Sequence, residues 1–373
     1  MTSKRPLARS LLLVPLLFGF ACKSGNNAGP AQTSSKTPPT TRTVSANNTN
    51  ALMVPENASG TLGTIERLDP ALDALLARDA KLEILVKGLD WAEGPVWSRR
   101  DRCLYWSDVP QNVVYRWSEG KGVSVYLRPS GYTGATPRAG EPGSNGLTID
   151  RDGRLTLCEH GDRRVARLEN NGKTQTALAD RFEGKRFNSP NDLCYDSKGN
   201  LYFTDPAYGL EGKLDDPKKE LPFQGVYRLT PDRKLSALTK EIKFPNGVAL
   251  SPDEKVLYVA ESNPDHPVVW AFDLAADGTL ANPRTFFDAT ALVAKKLKGL
   301  PDGMKVDQRG NVWLGGPGGI LVLSKEGKHL GTILTGEATA NCAWGDDGST
   351  LYVTADMYLC RIKTSTRGTI PGQ

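Results

Sequence analysis

Six polar side chains recur at the head of six similar segments: Glu93, Asn145, Asn191, Asn246, Asp302 and Asn341, spaced 52, 46, 55, 56 and 39 residues apart. A short apolar strand follows each, as in Glu93-Gly94-Pro95-Val96-Trp97, Pro245-Asn246-Gly247-Val248 and Pro301-Asp302-Gly303-Met304. Taken singly, Asn-Gly and Asp-Gly are ordinary turn residues. Six in register need another reason. Brought to one point, carboxylates repel each other, and a cation is the simplest remedy. Carboxylate and amide oxygens are hard donors, which suit Ca²⁺ first, then Mg²⁺ or Mn²⁺. Zn²⁺, a further alternative, prefers His and Cys, and the chain has only three histidines: His160, His266 and His329. The six cysteines show no Cys-x-x-Cys spacing, which excludes a zinc ribbon or thioredoxin-like motif.

The elements that must position these residues are themselves repeated. A turn with Asp and Gly usually follows the first strand, as in Arg151-Asp152-Gly153 and Asp346-Asp347-Gly348. A second strand comes next, such as Leu201-Tyr202-Phe203 or Leu351-Tyr352-Val353. A third often reads like Val114-Tyr115-Arg116. Repeats of this length with several short strands predict a six-bladed β-propeller of four-stranded antiparallel blades, an all-β fold. The innermost strands line one channel, and alternation of strand direction puts all six signatures at one mouth. The ends of the second strands reach the same face, where Asp108, His160, Asp205, Glu261 and Asp356 form a candidate rim.

Residues 62–365 are assigned to the propeller, with a C-terminal tail over 366–373. A short helix begins at Asp69-Pro70 and is expected to run to about Arg78. The sixth blade runs out of chain, so residues 82–87 should supply its outermost strand and close the ring. Residues 1–22 read as a lipoprotein-type signal: Lys4, Arg5 and Arg9, then an apolar run ending at Gly19-Phe20-Ala21-Cys22, with Cys22 the lipidation site. Residues 23–61, rich in Ser, Thr, Asn and Pro, read as a disordered tether. The expected location is the outer membrane facing the periplasm, otherwise the periplasm or the medium. Membrane contact is through the lipid anchor only. With Cys22 acylated, an odd number of cysteines remains, so at least one thiol is free.

The net charge is +5, scattered among acids with no basic stripe, so nucleic acid is excluded as a partner. A serine hydrolase is disfavoured because no Gly-x-Ser-x-Gly element is present.

The motifs Glu93–Trp97, Glu159-His160-Gly161-Asp162-Arg163-Arg164-Val165, Asn188-Ser189-Pro190-Asn191-Asp192-Leu193, Thr204-Asp205-Pro206-Ala207-Tyr208-Gly209, Phe244–Val248 and Pro301–Met304 occur in the order of a known family. The sequence resembles the SMP-30/gluconolactonase/LRE family over about residues 66–362. The resemblance implies one central divalent metal, with Glu93, Asn191, Asn246 and Asp302 in the ligand positions. It puts Asp302 in the place of the catalytic acid/base and Asn145 next to the substrate. His160 and Asp205 are further substrate-binding candidates from the rim. The implied activity is hydrolysis of a lactone, possibly a sugar lactone, by a monomeric enzyme. The alternatives are a noncatalytic binding propeller, or hydrolysis of other esters or phosphotriesters.

Overall fold

The structure, a computed structural model, describes residues 54–372. Cys22, the signal and most of the tether lie outside the described residues. Six antiparallel sheets follow one another around a ring, as the repeats predict. The innermost strands are Ala92–Ser98, Ser144–Ile149, Leu193–Tyr195, Pro245–Leu250, Met304–Val306 and Thr339–Gly345, for blades one to six. Among the described residues no helix is long and apolar enough to cross a membrane.

The strands read as unbroken apolar runs because each blade is packed on both faces. In Leu201–Asp205, Leu201 and Phe203 pack with Cys158 and Val165 of blade two. Tyr202, pointing the other way, packs with Val248, Leu257 and Val259 of blade four. Strand alternation thus sends successive residues into two different inter-blade cores. The first two strands of a blade are joined by a side-chain-capped turn. Asp150, Asp196 and Asp307 each accept backbone N–H bonds from the residues two and four positions on, at 2.8–3.0 Å. Gly153, Gly199 and Gly310 then take the positive φ that ends the turn.

Closure goes further than the sequence suggests. Glu83–Lys87 pairs with Tyr358–Lys363 and completes blade six, as expected. Glu56–Asn57 adds a fifth strand outside it, and Thr64–Arg67 adds a fifth strand to blade five. The folded body therefore starts before residue 62, and the stretch from Pro55 belongs to it rather than to a disordered tether. Backbone pairing compensates there for the scarcity of large apolar side chains. The tail also docks: Gly368 bridges Asp307, and Ile370 is buried. The predicted helix shrinks to a 3₁₀ helix over Pro70–Ala74, capped by Asp69 through the Ala71 N–H at 2.8 Å. Arg67 donates to the carbonyls of Leu76 and Ala77 just beyond the helix. All five cysteines among the described residues are free thiols.

Candidate active site at the channel mouth

The signature side chains are aimed by a local irregularity in the innermost strands. Register shifts occur at Glu93/Val96, Ser144/Leu147, Pro245/Val248 and Thr339/Asn341. Such bulges re-aim a side chain without ending the strand. The loosened backbone is then tied to its neighbours. Ser107 donates to Asn145 O at 2.8 Å, Thr204 to Asn246 O at 2.7 Å and Ser262 to Pro301 O at 2.5 Å. Gly146 N donates to Asn191 O at 2.7 Å.

Glycine after the signature residue is a packing requirement. A Cβ on Gly94, whose φ is also positive, would stand 2.1 Å from Asn145 O. One on Gly247 would stand 2.2 Å from Asp302 O. Gly247→Ala is therefore expected to destabilise the fold by about 1–3 kcal/mol, the usual cost of overpacking. Because it pushes on the Asp302 backbone, it should also depress activity. Thermal unfolding and a lactone assay on the same sample check both effects.

Six of the predicted residues come together at this mouth. The Asn191 amide donates to Asn246 Oδ1 at 2.5 Å, and Asn246 donates to Ser262 Oγ at 2.9 Å. His160, fully buried, sets Nε2 3.1 Å from Asn191 Oδ1. Its Nδ1 lies 3.2 Å from Glu141 Oε2 without a hydrogen-bonding angle. Glu93 accepts from Gly94 N at 3.0 Å. Asn145 Oδ1 and Asp302 Oδ1 are buried and accept no hydrogen bond.

Burial pushes the Glu93 carboxyl up to about 8, and the charges of Asp192 and Glu141 add to the effect. Asp302 is held well above the usual carboxylate range, again chiefly by burial, then by Glu93 and Asp192. Buried orphan oxygens and mutually repelling acids are costly unless something positive joins them. The donor set is all oxygen. Among the described residues no three His, Cys, Asp or Glu side chains cluster as a ligand set, so amides would have to complete a metal site. The residues present thus fit a hard divalent cation.

The mouth opens beside a cleft of about 530 Å³ lined by Ala207, Tyr208, Gln224, Phe244, Ser262 and Pro264, among others. Tyr208 stacks on Phe244 with ring centroids 6.4 Å apart. Its hydroxyl is buried and makes no hydrogen bond. A volume of this size suits a small organic molecule. An apolar floor with an unpaired hydroxyl beside Ser262 suits a sugar-like one.

Asp205 stands elsewhere. It is fully buried, and its two oxygens accept the N–H groups of Asn188 and Ser189 at 2.9 and 2.8 Å. It clamps the loop that carries Asn191 and does not face the cleft. Asp108 does the same for Asp90 and Trp91 in blade one. Asp205→Ala should cost about 2–3 kcal/mol by stranding two buried donors. A raised KM with unchanged unfolding temperature would instead return Asp205 to the substrate.

Sequence reasoning missed Glu141, Tyr208, Ser262 and Asp192. Asp192 had a visible signal, since it follows Asn191 where blades one, two, four and five have glycine. Glu141 had none, because it comes from the long insert over 129–143.

Known proteins match this architecture. The SMP-30/Gluconolactonase/LRE-like region is recognised over residues 91–356. A gluconolactonase of Zymomonas mobilis is 38% identical over 320 residues, covering 83% of this chain and 88% of that protein. Lactonase drp35 of Staphylococcus aureus is 32% identical over 262 residues, covering 68% and 72%. The solved structure of a gluconolactonase from Xanthomonas campestris superposes with a TM-score of 0.71 at 32% identity, covering 83% of this chain and 99% of that one. With the motifs in order and the ring closed as the repeats require, the chain belongs to the SMP-30/gluconolactonase/LRE-like family.

Proposed function

We propose that the protein is a gluconolactonase-like hydrolase that opens a small lactone, a sugar lactone in the first instance, to its hydroxy acid. The observation that carries this reading is the set of unpartnered buried oxygens on Asn145 and Asp302, facing acids and amides beside an open cleft. The names of the relatives supply the reaction class.

In this reading Glu93, Asn191, Asn246 and Asp302 hold one divalent cation, Ca²⁺ before Mg²⁺, Mn²⁺ or Zn²⁺. When bound, such an ion supplies Lewis-acid polarisation of the lactone carbonyl. Asp302 takes the proton of the attacking water on its carboxylate. A carboxylate base is expected because Ca²⁺ acidifies water less than Zn²⁺ does. His160 would pass a proton toward the leaving alkoxide, with Glu141 Oε2 standing 3.2 Å from its Nδ1. Asn145 orients the substrate. Tyr208 and Phe244 seat its carbon face and shed water from the cleft.

A pH-stat assay across a lactone panel, run with and without chelator, tests the proposal. Base uptake on at least one sugar lactone, lost with chelator and restored by Ca²⁺, is the expected result. Silence across the panel would leave a binding propeller. The sequence around Cys22 supports export with a lipid anchor. Cys22→Ser should then move the protein from the membrane fraction to the soluble one.

A further inference from the structure

Beside the cleft, the insert over 129–143 and the segment over 207–224 help to enclose a second cavity, of about 410 Å³. Tyr132, Arg138, Arg163, Arg186, Glu211 and Lys218 line it, among others. Glu211 also lines the cleft, so the two volumes adjoin. Four cationic side chains meet here, against the carboxylates of Glu211 and Asp216. Those acids are already engaged. Asp216 accepts from Gly212 N and Lys218 N, each at 2.8 Å. Glu211 accepts from Ala139 N at 3.2 Å and stands 3.5 Å from Lys218 Nζ. Glu220 accepts from Arg186 N at 2.8 Å and lies 3.9 Å from Arg163 Nη1.

The guanidinium groups are less well served. Arg163 is only 5% exposed. Its Nε donates to Phe187 O at 2.7 Å and its Nη1 to Lys218 O at 2.8 Å. Its Nη2 is buried and makes no hydrogen bond. Arg138 donates to Gly161 O at 3.3 Å and to Gly209 O, while its Nε is likewise buried and unpartnered. Arg186 donates to Asp162 O at 2.6 Å. The side-chain bonds of all three arginines thus go to backbone carbonyls, which carry no net charge. Burial, and then the charge of Arg186, pushes the Arg163 guanidinium below its ordinary pKa. Buried donors without acceptors are costly until something accepts from them.

We propose that this cavity is an oxyanion site at the edge of the mouth, where Arg163 and Arg186 take the phosphate or carboxylate of a small molecule. The guanidinium fork matches both groups and bonds them in pairs. A volume of this size admits a small organic anion. The site also touches the mouth. Arg138 holds the carbonyls of Gly161, which follows His160 in the chain, and of Gly209, where a Cβ would stand 2.5 Å from His160 Cβ. Nothing in the proposal depends on a cation at the ring.

Inorganic phosphate and malonate are the probes, titrated separately into the full chain by calorimetry at constant ionic strength. Malonate carries carboxylates but no sugar-like hydroxyls for the cleft to recognise. At least one should bind with a Kd on the order of 1 mM or tighter, and the tighter of the two tells a phosphate ligand from a carboxylate one. Chelator should leave the affinity unchanged, which separates this site from an anion held by a cation at the ring. Arg163→Met and Arg186→Met should each weaken binding at least about tenfold, as loss of a charged hydrogen bond does. Arg233→Met, which removes an exposed charge elsewhere, should alter it less than about twofold. If Arg163→Met fails to fold, Arg186→Met decides by the same criterion. Wild-type protein that binds neither probe at about 10 mM overturns the proposal. So does an affinity that survives in folded Arg163→Met and Arg186→Met, or that falls equally in Arg233→Met. None of these results bears on the lactonase reading, which stands or falls on the ring.

Discussion

Asp302→Asn is expected to lower kcat/KM for the preferred lactone by at least about 10³, with the fold retained. General-base catalysis alone contributes roughly 10²–10⁴, and this change also removes a charged oxygen donor from the ring. The fall should appear mainly in kcat, since the cleft around Tyr208 and Phe244 is untouched. Stability should move the other way in chelator. Asp302 is buried against Glu93 and Asp192, so a neutral amide relieves repulsion and the metal-free protein should melt no lower than wild type. Steady-state kinetics and calorimetry on one preparation separate the two effects. Near-normal turnover in the variant would withdraw the acid/base role from Asp302.

Chelation of the wild-type protein is the second large effect. Activity should be abolished and recover with Ca²⁺. Ligand at about 100 times its Kd stabilises the folded state by about 2.7 kcal/mol. For a domain of this size that corresponds to a rise on the order of 5 °C in Tm. The rise should be absent in Asp302→Asn and Glu93→Gln, whose rings lack one of the two carboxylates. An equal Ca²⁺-induced rise in those variants would locate the ion elsewhere.

The ring was legible because propeller blades repeat, and repetition converts six weak turn signals into one statement about geometry. Closure by residues 82–87 was legible from a count of strands in the last blade. What the residues could not tell was the direction in which a carboxylate points. Asp205 and Asp302 both sit near strand ends on the same face, yet one turns to backbone N–H groups and the other to the channel. That choice depends on the loop over 188–190, whose course no periodicity encodes. Glu141 and Tyr208 reach the site from irregular segments for the same reason.

The closing strand has a further consequence for the order in which the molecule comes into being. Glu83 and Arg361 meet across 278 residues of chain, and Ala92 N bonds to Asp356 O right beside Glu93. Pairings so distant in sequence are entropically late events. Glu93 enters the ring at this seam, next to Asn341 of the last blade, whereas Asp302 arrives with blade five. The two acids therefore face each other only once the seam is shut. Their mutual repulsion is thus deferred until the seam closes.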